Sequence, residues 1–408
     1  MTTTGTTGTA APDAGPLVRR MRGFGTTIFA EMSALATATG AVNLGQGFPD
    51  FDGPAVMLEA ARQAISDGLN QYPPGPGTPQ LREAVAAHQQ RWYGIAYDPV
   101  TEVVVTAGAT EAVTAAVLAL CEAGDEVVVL DPLYDSYAAS VALAGAVVRA
   151  VPLRPDEGGR FVWDEAELRA AFGPRTRMLL LNSPHNPTGT VLGREELALL
   201  AALCVEHDVW AVCDEVYEHL VLDGEHLPLA TFPGMAGRTL QVGSAGKTFS
   251  CTGWKVGWVC GPAPLVAAVL RVKQYLTFTG GSPFQPAVAL ALGLEDAFFD
   301  GFAADMRGKR DRLSAGLAVA GFGVGTSQGT YFLVADVTPV VPAVLGEGAE
   351  VDGLAFCRAL PERCGVVAVP VQVFYATPGE GRHLVRFTFG KRDEVLDEGV
   401  RRLAALRG

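Results

Sequence analysis

Lysine is scarce in this sequence: only five of its 31 basic residues are lysine, and two of the five, Lys247 and Lys255, fall within "GSAGKTFSCTGWKVGW" at residues 243–258. Positive charge is short as well. Lys and Arg are outnumbered by 44 Asp and Glu, giving a formal net charge of -13. Such a surface repels phosphate backbones and anionic bilayers, which counts against nucleic acid and membrane surfaces as partners and leaves small molecules. No apolar run is long enough to span a bilayer, and the N-terminus lacks the charged-then-apolar order of a secretion signal, so a cytoplasmic location is expected. Cysteine numbers seven (Cys121, Cys204, Cys213, Cys251, Cys260, Cys357 and Cys364), an odd count with no CxxC pair. That leaves no paired thiol motif for a metal, and the cysteines are expected to be reduced and packed in the core.

What is abundant is apolar. Of 408 residues 49% are hydrophobic and 18% charged, enough for a large core and for two domains. The first 15 residues, "MTTTGTTGTAAPDAG", hold almost no large apolar side chain and are expected to form a disordered tail. From about residue 100, short apolar runs alternate with helix-like segments. "EVVVTAGATEAVTAAVLALCEAGDEVVVL" reads as strand, turn, helix and strand, a βαβ unit. "RMLLLNS", "VWAVCDE", "TLQVGS" and "VGWVCGP" read as further strands. They do not alternate polar with apolar, which suits a sheet covered on both faces. Between Gly243 and Val256 there is no room for a crossover helix, so the last two strands are expected to be antiparallel neighbours and the sheet mixed. After about residue 305 a charged helix around "MRGKRDRLSAGLAVAG" and the strands "GTYFLVADV" and "HLVRFTFGK" suggest a smaller α+β domain. The expected division is a segment 16–55 packing with the small domain, a large α/β domain 56–305, and the small domain 306–408.

In open α/β sheets ligands bind beyond the carboxyl ends of the strands. There the sequence places the turn Gly108-Ala109-Thr110, then "NSPHNPTG", "DEVY" and "GSAGK". The first heads a helix and offers free N–H groups to a phosphate, although many helices in such folds begin this way. Asp214 ends a buried strand, where a carboxylate needs a cation or a donor, or else serves as a helix cap or structural ion pair. "QVGSAGKT" falls one residue short of a nucleotide-triphosphate loop, with Gln241 at the first glycine position, and Gly253 and Gly257 break the helix such a loop requires. "GFGVG" at 321 lacks the third glycine of a dinucleotide fingerprint. A lysine among small residues, beside a strand-end carboxylate and a phosphate-ready helix, suits Schiff-base chemistry with an aldehyde cofactor. Pyridoxal 5'-phosphate needs all three parts.

At these residues the chain resembles the class I aminotransferases of the fold-type I pyridoxal phosphate enzymes, through "VNLGQGFPDF", "NQYPPGPGTPQLREAV", "PLYDSY", "NSPHNPTG", "DEVYEHL", "GSAGKTFSCTGWKVGW" and "VRFTFGK". Within that class it is most similar to the kynurenine aminotransferase, glutamine transaminase K and cysteine-conjugate β-lyase group, and above all to bacterial N-succinyldiaminopimelate aminotransferases through "FAEMSALAT" and "KQYLTFTGGSPFQPAVALAL". The resemblance implies a homodimer that moves an amino group from an amino acid to a 2-oxo acid, with lyase or replacement chemistry as the alternative. It implies that Lys247 carries the cofactor and shuttles the proton, that Asp214 pairs with the ring nitrogen, and that Tyr217 and Asn186 bond the ring oxygen. Ala109, Thr110, Ser244, Lys255 and Tyr72 of the partner subunit would hold the phosphate, and Tyr134 would stack on the ring. Arg386, mid-strand with Leu384 and Thr388 on its face, would take the substrate carboxylate with Gly47 and Asn186. Phe48, Tyr275, Phe278 and the loop 279–282 would shape the side-chain pocket, and Lys273 would meet an acidic tail unless it serves packing.

Overall fold

A computed structural model describes residues 16–407. The proposed tail, residues 1–15, lies outside the described residues.

Seven strands form the main sheet: β1 (Val103–Thr106), β2 (Glu126–Asp131), β3 (Val147–Pro152), β4 (Thr176–Asn182), β5 (Trp210–Asp214), β6 (Thr239–Ser244) and β7 (Gly257–Cys260). Their order is β1-β7-β6-β5-β4-β2-β3. β7 runs antiparallel to both neighbours while the other pairings are parallel, as the short Gly243–Val256 connection requires. Both faces are covered. Val128, Leu130, Leu179, Leu181 and Ala211 enter one hydrophobic core. Their sequence neighbours Val127, Val129, Met178, Leu180 and Val212 enter the opposite one. Each such fully buried side chain contributes about 1.5–3 kcal/mol, so neither face tolerates a polar alternation.

The βαβ reading holds: β1 and β2 run parallel in one sheet with a helix between them, and four strands separate them. The helix Gly108–Leu120 has 13 residues. At about 1.5 Å per residue it extends about 20 Å, which with its loops reaches across five strand spacings of about 4.8 Å. Local pattern reveals a crossover but not its span.

A second, antiparallel sheet holds β8 (Gly323–Val324), β9 (Phe332–Asp336), β10 (Val369–Pro370) and β11 (Leu384–Thr388) in the order β8-β9-β11-β10. Its core includes Phe356, Val385 and Phe387 together with Met32, Ala36 and Leu44 from the N-terminal segment. Val42–Asn43 also pairs in parallel with Val366–Val367, so the early chain is tied to the late chain by backbone hydrogen bonds. The charged helix is longer than its sequence texture suggests, running from Asp296 to Ala320. Phe299 anchors its start in the core of the large sheet, while Met306, Leu313 and Leu317 anchor the rest in the core of the small one. Six of the cysteines are buried, Cys364 is partly so, and all seven are free thiols.

Candidate active site

Register brings the polar strand ends together. Gly257 at the start of β7 lies opposite both Thr106 at the end of β1 and Ser244 at the end of β6. Asp214, closing β5, lies opposite Asn182, closing β4. Beyond these ends is a cavity of about 260 Å³. Its floor carries Ala109, Thr110, Ser244, Lys255, Asp214 and Lys247, and its walls carry Asn186, Tyr217, Tyr134, Gly47, Phe48 and Arg386.

The segment that opened the question about lysine folds as the rejected nucleotide loop could not. A short helix, Ala245–Thr248, and a turn of 3-10 helix, Thr252–Trp254, are followed by Lys255 in a left-handed conformation (φ 53°) and then by β7. This left-handed turn lays Lys255 against the Gly108 turn. Gly108 itself has φ 75°, and a Cβ there would lie 3.2 Å from the Lys255 Nζ. At Gly257 a Cβ would press within 2.7 Å of the Gly108 backbone, so only glycine lets strand and helix start approach so closely. Ala109 and Thr110 then point N–H groups, which no preceding helical turn can satisfy, at the same place as the lysine. The arrangement suits a phosphate.

Asp214 is almost fully buried, and its carboxylate accepts a hydrogen bond from the Tyr137 hydroxyl at 2.5 Å. Burial pushes its pKa up to about 6, against the opposing pull of the Tyr137 and Val216 hydrogen bonds and of the Lys247 charge. A carboxylate poised in this way suits a cationic ring nitrogen. Lys247 is half-buried, and its Nζ donates to the Tyr331 hydroxyl at 3.0 Å. Asn182 orders the neighbouring wall: its amide donates to the Asp214 carbonyl at 2.8 Å and its oxygen accepts from the Asn186 N–H at 2.7 Å.

Arg386 is 1% exposed, with Val385 and Phe387 turned into the small-sheet core and the guanidinium turned to the cavity. Nη1 donates to Asn186 Oδ1 at 3.0 Å and Nη2 to the Gly45 carbonyl at 3.1 Å, and the plane lies 4.0 Å from the Phe332 ring centroid. The buried Nε–H has no partner among the described residues. Desolvation lowers its pKa to about 10, which still leaves the group charged at neutral pH. A buried, charged fork with an unspent donor suits a carboxylate. Gly47 borders it because a Cβ there would sit 2.8 Å from Phe332 and 3.5 Å from Arg386 Nη2.

Three candidate residues are not brought into the cavity by one chain. Tyr72 and Tyr275 are 82% and 85% exposed, and Phe278, at 48%, makes an edge contact with Tyr72. Lys273 is buried and donates to the Gly75 and Phe278 carbonyls at 2.8 and 2.6 Å, so it staples the loops that bear these aromatics and turns no charge toward a substrate tail. Conversely, the site residues Tyr137, Asn182, Tyr331 and Phe332 escaped the sequence reading. Tyr137 and Asn182 sit inside "PLYDSY" and "NSPHNPTG", where a second hydroxyl or amide was the available signal. Tyr331 and Phe332 look like ordinary strand residues in "GTYFLVADV".

Residues 39–403 match the family "Aminotransferase class I and II". The chain belongs to this family. It is therefore an aminotransferase, and like other members it depends on pyridoxal 5'-phosphate, which the Lys247, Asp214 and Lys255 arrangement fits. Over 399 residues, 95% of this chain and 98% of the relative, it is 56% identical to a protein of Mycobacterium tuberculosis named as an N-succinyldiaminopimelate aminotransferase. A methionine aminotransferase of Escherichia coli is 40% identical over 383 residues, 94% of this chain and 96% of that one. The solved structure of the N-succinyldiaminopimelate aminotransferase from Mycobacterium tuberculosis superposes with a TM-score of 0.91, covering 96% of this chain and all of that one. The fold-type I architecture expected from the motifs is thereby shown. No helix among the described residues is long and apolar enough to cross a membrane.

Proposed function

We propose that this aminotransferase acts on N-succinyldiaminopimelate with glutamate and 2-oxoglutarate as the other amino acid and oxo acid pair. The observation that carries this reading is 56% identity over nearly the whole of both chains to a relative bearing that name. Bound in the cavity, pyridoxal 5'-phosphate supplies an aldehyde that takes up the amino nitrogen and a ring that accepts the electron pair left at the substrate Cα. The protein does the rest. Arg386, with Gly47 and Asn186, holds the α-carboxylate so that the Cα–H bond faces Lys247, whose amine takes that proton and returns it one carbon away. Asp214 would favour a positive charge on the ring nitrogen, Tyr217 and Asn186 would donate to the ring oxygen, and Tyr134 would cover the ring face. Ala109, Thr110, Ser244 and Lys255 would hold the phosphate.

The exposed Tyr72, Tyr275 and Phe278 support a homodimer in which each chain completes the other's cavity, with Tyr72 of the partner subunit at the phosphate. Two distinct sheets support domains at 56–305 and 306–408, and Met32, Ala36 and Leu44 in the core of the smaller sheet support 16–55 packing with it; Val334 and Leu384 also join the core of the large sheet, and the helix Asp296–Ala320 runs unbroken across the boundary. The acidic surface supports a cytoplasmic location.

Purified protein given N-succinyldiaminopimelate and 2-oxoglutarate is expected to release glutamate faster than with any other donor in a panel of amino acids that includes methionine and kynurenine. A better rate with another donor would reassign the substrate. Pyruvate and ammonia formed without an oxo-acid acceptor would make the enzyme a lyase.

Asp214 sets a pH dependence. Its folded value of about 6 lies above the ordinary 3.8. Between those values the unfolded chain has released a proton that the folded, cofactor-free chain still holds, so this group takes stability away as pH rises through the window. Pairing with a cationic ring nitrogen requires the ionised form. Cofactor binding to the cofactor-free protein is therefore expected to weaken about tenfold for each pH unit below 6, relative to the Asp214→Asn variant, which has nothing to ionise there. Absorbance titrations of both proteins at pH 5 and pH 7 check this; parallel slopes would remove Asp214 from the ring.

A further inference from the structure

Tyr331 lies between two parts of the site that the established chemistry uses separately. Its hydroxyl accepts from Lys247 Nζ at 3.0 Å and donates to the Gly47 carbonyl at 2.9 Å. The side chain is fully buried, and its ring meets Tyr217 edge-on at 5.4 Å and Phe332 at 4.8 Å. The backbone around it is equally constrained. The preceding Thr330 is fully buried with φ 65°, a left-handed conformation that a β-branched residue adopts only under constraint, and its N–H is tied to the Leu220 carbonyl at 2.8 Å. The Tyr331 carbonyl accepts from the Phe389 N–H at 2.9 Å and from the Thr388 hydroxyl at 3.1 Å. Nothing about this residue is free to turn, so the hydroxyl is a fixed point behind the lining residues Lys247 and Gly47.

We infer that Tyr331 is a positioning residue that fixes the Lys247 amine and the substrate-carboxylate loop at Gly47 relative to one another through a single hydroxyl. The inference rests on the role of Lys247 proposed above and deepens it. With its proton committed to the Gly47 carbonyl, the phenolic oxygen presents lone pairs to the lysine. It therefore orients the amine and ties that orientation to the loop that borders Arg386. A base held in this way faces the Cα–H bond when the carboxylate is seated. Without the hydroxyl the amine keeps its covalent place on the chain but swings, and Gly47 loses its anchor.

The test is Tyr331→Phe, which keeps the ring contacts and removes only the oxygen. In the cofactor-free protein, the rate at which added pyridoxal 5'-phosphate develops its bound visible absorbance at one fixed pH reports how well the Lys247 amine is oriented. Losing the hydroxyl that orients it is expected to slow that step roughly tenfold. In the loaded enzyme kcat is expected to fall roughly 10- to 100-fold, at or below the low end of what a positioned acid or base contributes, with KM and cofactor content changed less than about threefold. An unchanged rate of absorbance development together with unchanged kcat overturns the inference. If the phenylalanine variant does not fold, 3-fluorotyrosine at position 331 retains the contact with a weaker acceptor oxygen; a smaller slowing of the absorbance step supports the inference and none overturns it. Failure of the underlying reading is separate, since that is decided by whether Lys247→Ala still turns over.

Discussion

Lys247→Ala is expected to abolish transamination and, with it, the visible absorbance of the bound cofactor. Among the described residues two amines line the cavity, and Lys255 is wedged against the Gly108 turn, which leaves Lys247 beside Asp214. On the proposed reading its removal would take away both the covalent anchor and the proton carrier, and the loss in kcat is expected to be at least about 10⁴-fold, the upper end of what a positioned base supplies alone. The fold should be unaffected. Lys247 is half-buried in a helix of four residues, outside the hydrophobic cores, so the change in stability is expected to stay within about 1 kcal/mol. Absorbance spectra, steady-state rates and a thermal melt of the variant settle the matter, and full activity would remove Lys247 from the mechanism.

Arg386 carries the second large effect. Truncating one partner of a buried, hydrogen-bonded charge pair costs about 2–5 kcal/mol, so Arg386→Met is expected to lower kcat/KM for an amino acid roughly 30- to 4000-fold. Arg386→Lys keeps a charge but loses the planar fork that Asn186 and the Gly45 carbonyl align, and should fall between the two. Stability moves the other way. The guanidinium is desolvated between Phe332 and Phe374 rings with its Nε–H unpartnered, so methionine at this position is expected to be neutral or stabilising before substrate binds. The control is an amine that lacks the α-carboxylate: its residual rate should not change in either variant, and an equal loss with both substrates would assign Arg386 a structural role.

Local features were legible where a short-range rule governs them. The antiparallel pairing of β6 and β7 follows from a connection too short for a crossover, and the break in the helix after Lys247 follows from Gly253 and Gly257. Asp214 at a strand end could be placed because a buried apolar run must stop where a carboxylate begins. The span of the first crossover was not legible, since the same helix serves adjacent or distant strands. Tyr331 was invisible for a different reason: a tyrosine entering an apolar strand has the pattern of a core residue, and only its contacts make it more. Tyr72, Tyr275 and Phe278 do not line the cavity, and an aromatic on an exposed loop carries no local signal of where its ring lies.

The sequence by itself determined the residue types, their order along the chain and the local turns: a scarce lysine kept among small residues, a carboxylate closing a strand, glycines where backbones must touch. Tertiary structure alone decided which of them meet. Lys247 finds Tyr331 84 residues away, and Arg386 finds Asn186 at a separation of 200. Such meetings depend on the order of the strands and on how the two sheets face each other, and those are set by the summed burial of four large cores, to which no local stretch of sequence has access.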